Sequence, residues 1–210
     1  SDMLDNGTVM NGKMIESPKS FQVACTVTTQ IIAAVASNQY GGQSVDMKHL
    51  GKYLRKSYNK FKEEIETKYK NKLSQDIIDV LVQTRLKAEL KAGVQTIQYQ
   101  INRLMTTNGQ SPFVTLFLHL EPDDPYIKEN AMIIEEILRQ RYEGIKNEAG
   151  IYVTPAFPKL VYVLDEHNCL KGGEYDYLTK LAVKCSSKRM YPDYISAKKM
   201  RDNYEGNVFR

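Results

Sequence analysis

The sequence predicts an α/β fold, in which strands buried in a parallel sheet alternate with helices, and three observations carry that expectation. Phe113 to Leu120 reads Phe-Val-Thr-Leu-Phe-Leu-His-Leu, a near-continuous apolar run of strand length that suits a parallel strand covered on both faces. Lys159 to Leu164 (Lys-Leu-Val-Tyr-Val-Leu) is a second such run. Between them Asp124-Pro125 supplies an N-cap and a first-turn proline, and Ala131, Ile134, Leu138, Tyr142 and Ile145 form a helical stripe ending near Gly150. Strand, helix and strand in this order make a right-handed βαβ unit.

The other elements follow from the same patterns. From Gln22 to Ser37 nearly every position is apolar or small, so no stripe divides the helix into two faces and burial all round is expected. Asn38-Gln39-Tyr40-Gly41-Gly42 stops it, because paired glycines can take positive φ angles. Between Met47 and Leu73 the apolar positions Leu50, Leu54, Tyr58, Phe61, Ile65 and Tyr69 recur every three or four residues with Lys and Glu opposite, the pattern of a surface helix. A second stripe, Ile78, Val82, Leu86, Leu90, Val94, Ile97, Ile101 and Leu104, holds that period over a length on the order of 40 Å. Two long neighbouring helices of this kind suit a dimer bundle, since their apolar face exceeds what one small domain covers. Gly172-Gly173 opens a helix through Leu178, Leu181 and Ala182, Lys188 to Tyr191 reads as a third strand, and Asp193 caps a last helix running to Tyr204 and ended by Gly206. With no internal repeat and no long linker, residues 1–210 read as one α/β domain carrying a helical excursion over residues 47–104.

The 210 residues are 42% hydrophobic and 26% charged, values that exclude disorder and collagen-like repetition. No apolar run approaches the roughly 20 residues needed to cross a bilayer, and the opening Ser1-Asp2-Met3-Leu4-Asp5-Asn6 lacks the basic and apolar regions of a secretion signal. Cys25, Cys169 and Cys185 form an odd set without CxxC spacing, so neither a disulfide framework nor a cysteine zinc site is expected, and a reducing cytoplasm fits best. The net charge of +4 is concentrated: residues 48–72 hold nine basic and three acidic side chains. Such a segment could meet nucleic-acid phosphates as a stand-alone binding module, but Glu63, Glu64 and Glu66 interrupt it, and a solvated lysine face is the stronger reading.

Candidate chemistry is sparse. GxGxxG and GxxxxGK patterns are both absent, and Gly41-Gly42, Asn108-Gly109 and Gly172-Gly173 read first as turns. Met105-Thr106-Thr107-Asn108-Gly109-Gln110-Ser111-Pro112 is unusually polar for a link between a long helix and a buried strand; several of its side chains could bind a nucleotide, although helix capping and turn formation are the favoured account. Asp165-Glu166-His167-Asn168-Cys169 follows a strand, at the end where parallel sheets place their ligands; acid/base or metal chemistry is conceivable there, but a polar turn is favoured. His119 reads as a hydrogen-bonded core histidine, His49 as solvated, and Cys25 as an inert small hydrophobe.

Five strings read together resemble the anaerobic, class III ribonucleoside-triphosphate reductases, a family of glycyl-radical enzymes. They are Asp5-Asn6-Gly7-Thr8-Val9, Val35 to Ser44 (VASNQYGGQS), Thr106 to Thr115 (TTNGQSPFVT), Thr154 to Glu166 (TPAFPKLVYVLDE) and Cys185 to Ser196 (CSSKRMYPDYIS). The resemblance runs essentially end to end. It implies a ten-stranded β/α barrel built from two antiparallel halves, of which this chain is part of the first, with residues 47–104 at a dimer interface where a deoxynucleotide effector sets substrate choice. It makes Tyr40, Gly41, Gly42, Asn108, Gly109, Gln110 and Ser111 the candidate nucleotide contacts. For the parent enzyme it implies ribonucleoside triphosphate substrates, a glycyl radical, ATP and deoxynucleotide effectors, a structural zinc and a radical-SAM activase. The family's two active-site cysteines lie in elements flanking the matched stretch, and its glycyl loop and zinc cysteines lie further on. Cys25, Cys169 and Cys185 match none of those positions, so the expectation is a homo-oligomerising fragment with no cofactor and no reductase activity of its own.

Overall fold

The computed structural model describes residues 2–10, 12–38, 41–70, 72–103 and 112–203. A single-turn helix α1 (Asp2–Asp5) and an antiparallel hairpin of β1 (Thr8–Met10) and β2 (Lys13–Ile15) lead into α2 (Phe21–Asn38). Strand β3 (Gln43–Asp46) follows, then a 3-10 turn over Met47–Leu50 and the long helices α3 (Gly51–Tyr69) and α4 (Gln75–Arg103). Next come β4 (Val114–Leu118), α5 (Ile127–Glu143), a small hairpin of β5 (Ile145–Lys146) and β6 (Tyr152–Val153), and β7 (Lys159–Leu164). Helix α6 (Glu166–Cys169), α7 (Asp176–Arg189), β8 (Asp193–Ser196) and α8 (Ala197–Asn203) complete the order.

The main sheet is parallel, and its strands lie in the order β3-β4-β7-β8, which is also their order along the chain. Every return path therefore carries helices, as parallel neighbours require. One face of the sheet is the core: Val114, Leu116, Leu118, Leu160 and Tyr162 are buried together with Ile133, Ile134 and Ile137 of α5 and Leu178 and Ala182 of α7. The other face carries Ser44, Thr115 and Lys159 in one register row and Asp46, Phe117, Val161 and Asp193 in the next. Burial along β4 accordingly alternates, which corrects the expectation of a strand covered on both faces: Thr115 and Phe117 on the second face are only half-buried.

Helix α2 packs on α4 and α4 on α3. Its expected burial all round is also corrected. Phe21, Ala24, Cys25, Val27 and Ile32 are buried, but Val23 is 49% exposed and residues 33–37 are half-covered, because α4, α3 and α1 together reach only part of the helix. Asp124 accepts a hydrogen bond from the Tyr126 amide at 2.8 Å, as a cap should, but one turn ahead of a helix that begins at Ile127. That helix stops at Glu143, where Gly144 takes φ +86°, and not near Gly150; Ile145 belongs to the hairpin. Lys188 and Arg189 lie in the last turn of α7, so the third strand expected there is found at Asp193–Ser196 instead. Asp193 is a strand residue, and Ser196 Oγ takes the Lys199 amide at 3.4 Å in the capping role. Strand β3 escapes detection in the sequence because Gln-Ser-Val-Asp has no apolar run. Leu104, Tyr204 and Gly206 lie outside the described residues. Among the described residues no helix is long and apolar enough to cross a membrane.

Candidate functional site at the carboxyl ends of the strands

Parallel strands point all their carboxyl ends one way, and here that edge is polar. β3 ends in Asp46, β4 runs on into His119-Leu120-Glu121, β7 into Asp165, and β8 ends in Ser196. Asp46 Oδ1 caps the 3-10 turn by accepting the Lys48 amide at 2.9 Å. Its other oxygen is buried, 3.8 Å from His119 Nδ1 and 3.8 Å from Lys48 Nζ. Lys48 Nζ in turn donates to Glu121 Oε1 at 2.5 Å, and His119 Nδ1 stands 3.9 Å from the same oxygen. Two carboxylates, an ammonium and an imidazole thus bridge the ends of β3 and β4.

A second cluster ties the other strands. Asp165 caps α6 in a reciprocal box: its carboxylate accepts the Glu166 amide at 2.9 Å, while Asn168 Oδ1 accepts the Asp165 amide at 2.9 Å. Asn168 Nδ2 also donates to the Val163 carbonyl, and Thr179 Oγ1 to the Asn168 carbonyl. Arg201 of α8 closes on Asp165 with two hydrogen bonds, at 2.9 and 3.0 Å. The Arg201 guanidinium holds the Asp165 carboxyl below its ordinary range. The His167 imidazole lies beside the Leu120 backbone, and burial keeps its pKa below the ordinary value.

Beside the free edge of β3 lies a cavity of about 370 Å³. Ile31, Ile32 and Val35 of α2 form its apolar wall, and Ser44, Asp46 and His49 its polar one. His49 is therefore not the solvated surface residue expected from its basic neighbours; it is half-buried, and burial lowers its pKa.

Gly41 and Gly42 lie at the opposite, amino-terminal end of the sheet. Gly41 takes φ +99°, and a Cβ on Gly42 would stand 2.9 Å from the Phe113 ring, so the entries to β3 and β4 pack together, joined by the Gln43 amide on the Phe113 carbonyl at 2.8 Å. Tyr40, Asn108, Gly109, Gln110 and Ser111 lie outside the described residues. The Asp165–Cys169 stretch is a capped turn of helix, not an open loop, and among the described residues no three His, Cys, Asp or Glu side chains are arranged to hold a metal. The thiols do not fit a zinc site: Cys25 and Cys185 are buried in α2 and α7, and Cys169 is exposed on α6. Asp46, Lys48, Glu121 and Arg201 are site residues that the sequence reading missed; the signal for them is a charged residue at or just beyond each strand, readable only once β3 and β8 are placed.

Helix-linked parallel strands in sequential order define a β/α protein, and here the carboxyl-terminal edge of the sheet carries charged groups. Comparison with known proteins makes this specific. The family model described as anaerobic ribonucleoside-triphosphate reductase matches residues 1–209, and the chain belongs to that family. It is 38% identical over 202 residues to the anaerobic ribonucleoside-triphosphate reductase of Enterobacteria phage T4, covering 93% of this chain and 31% of the phage protein. It is 37% identical over 200 residues to that of Escherichia coli K12, covering 92% of this chain and 26% of the bacterial one. The chain thus spans under a third of the length of these relatives. Among solved structures, the anaerobic ribonucleotide reductase from Thermotoga maritima in complex with dATP and CTP superposes with a TM-score of 0.57 at 14% identity, over 94% of this chain and 32% of that one. The same enzyme with dATP bound in its specificity site gives 0.57 over 94% and 33%. These structural likenesses establish the shared fold.

Proposed function

We propose that this chain is part of the catalytic barrel of an anaerobic ribonucleoside-triphosphate reductase, an oxidoreductase that converts ribonucleoside triphosphates to deoxyribonucleoside triphosphates by radical chemistry. The family match from residue 1 to residue 209 carries this reading. Supporting it, four parallel strands in sequential order have one face packed by helices and the other lined by Ser44, Thr115, Lys159, Asp46 and Asp193 together with Phe117 and Val161, as a segment of a barrel wall facing a cavity would. β3 and β8 are the sheet's edges, where further strands of a ten-stranded barrel would join.

In this reading the chain supplies scaffold and one wall of the substrate cavity, while the thiyl and glycyl radical groups come from other parts of the enzyme. Cys25 and Cys185 are unsuited to nucleophilic work because burial raises both thiols, Cys185 to about 11, and both are shut inside the core, away from a substrate. Helices α3 and α4 would form the dimer bundle; Ile77, Val80 and Leu81 on α4 are exposed apolar side chains available for it. Gly41 and Gly42, with Tyr40, Asn108, Gly109, Gln110 and Ser111, would contact a deoxynucleotide effector, and the activase, ATP regulation and cytoplasmic location follow from the parent enzyme. The nucleic-acid alternative loses force because Lys48, Lys52, Arg55, Lys60 and Lys62 each lie against a carboxylate.

The test is a thermal-shift series. Stabilisation by dTTP, dATP or dGTP with none from duplex DNA supports the effector reading. A melting temperature unmoved by all three nucleotides removes it, and a salt-dependent gel shift with DNA favours the alternative.

A further inference from the structure

The single turn of α6 touches three strand ends at once. Asn168 Nδ2 donates to the Val163 carbonyl of β7 at 2.9 Å, the His167 imidazole lies beside the Leu120 backbone just past β4, and Asp165 holds Arg201, which stands five residues beyond the end of β8. The Asp165 carboxylate accepts three hydrogen bonds, one from the Glu166 amide and two from the guanidinium. Its side chain is 6% exposed, so the negative charge is buried and depends on those donors. A guanidinium donates two bonds in a fixed planar fork that matches a carboxylate; an ammonium acts as a point charge and cannot reproduce that orientation. Arg201 itself is half-exposed and makes no other ion pair among the described residues.

We propose that Arg201 is a positioning residue: its forked grip on Asp165 locks the α6 turn, and through that turn fixes the carboxyl ends of β4, β7 and β8 as one rigid edge for the nucleotide substrate. The clamp holds the reactive edge without touching substrate. This rests on the reading of the strand ends as a wall of the reductase substrate cavity. Misplacement by about 1 Å at such an edge lowers turnover by about a hundredfold.

The experiment uses the full-length enzyme with Arg201→Met, Arg201→Lys, Asp165→Asn and the Arg201→Met/Asp165→Asn double variant, all compared at equal folded fraction. Hydrogen exchange is read at residues 119–121 and 166–169. Arg201→Met is expected to speed exchange in both segments, including the one 80 residues away in sequence from the substitution, with Arg201→Lys intermediate and the double variant no worse than the more damaging single one. Unchanged exchange at 119–121, or additive effects of the two single substitutions, overturns the clamp whatever the activity. In the turnover assay, kcat/KM of Arg201→Met is expected to fall about tenfold to a hundredfold, and the acid limb of the pH profile to move upward as Asp165 loses its cationic partner. Wild-type enzyme that reduces ribonucleotides alongside an Arg201→Met variant within twofold of it overturns the positioning role alone. Wild-type enzyme that fails to reduce them overturns the functional reading, and the exchange measurement still decides the clamp.

Discussion

Gly93 of α4 and Phe21 of α2 meet so closely that a Cβ built on the glycine would stand 2.5 Å from Phe21 Cε1 and 3.0 Å from Cys25 Sγ. Phe21 is fully buried and cannot swing away, so the missing side chain sets how near the two helices approach. Gly93→Ala should therefore destabilise the protein by about 1–3 kcal/mol, although alanine favours helix, because overpacking outweighs propensity. Urea denaturation checks it, and an unchanged or higher midpoint would show that α2 and α4 separate easily.

Glu89 anchors the start of α2. Its Oε1 accepts the Gln22 amide at 3.0 Å and the Ser57 hydroxyl at 3.1 Å, and Ser57 Oγ accepts the Phe21 amide at 2.8 Å. Three helices thus share one carboxylate oxygen, placed where an N-terminal helix dipole favours negative charge. Glu89→Ala leaves those donors unsatisfied and should cost about 1–3 kcal/mol. Glu89→Gln keeps an acceptor and should cost less; equal losses for the two variants, measured by equilibrium unfolding, would contradict the assignment.

Stability should decline on acidification in two stages. Burial lowers the pKa of His49 and of His167 below the ordinary 6.5, so the unfolded chain binds protons first and stability falls as the pH drops below that value. Asp165 has the opposite origin. Arg201 depresses its folded pKa below the ordinary 3.8, giving stability that is present above 3.8 and lost as the pH falls through the folded value. The first stage should shrink in a His49→Gln/His167→Gln variant and the second in Arg201→Met. A stability profile that both variants leave unaltered between pH 7 and 3 would exclude these groups as the cause.

Thiol labelling should discriminate among the three cysteines. Cys169 is exposed and should react within the native protein, whereas Cys25 and Cys185 are buried with raised pKa values and should react only on unfolding. Mass-spectrometric mapping after a short exposure to iodoacetamide decides it, and early labelling of Cys185 would mean that α7 opens locally.

The sequence's own patterns set out the two apolar strands, the long helices α3 and α4 and the βαβ order, because each depends on periodicity or on a run of residues next to one another. Lys159 to Leu164 emerges as β7 with the limits read from its composition. The strings around Gly41-Gly42 and Thr154 to Glu166 likewise identified the family, since long ordered strings rarely coincide by chance. What the tertiary structure alone decided is the set of groups that meet. Asp46, Lys48 and Glu121 are ordinary surface charges in sequence, and β3 is too short and polar to announce itself; parallel pairing with β4 brings Asp46 opposite Phe117 and so beside His119. Arg201 lies 36 residues from Asp165, and their forked contact exists because β8 follows β7 in the sheet. Local patterns encode each element's burial and length, but proximity across the sheet is a sum over many weak contacts that no single stretch of residues contains.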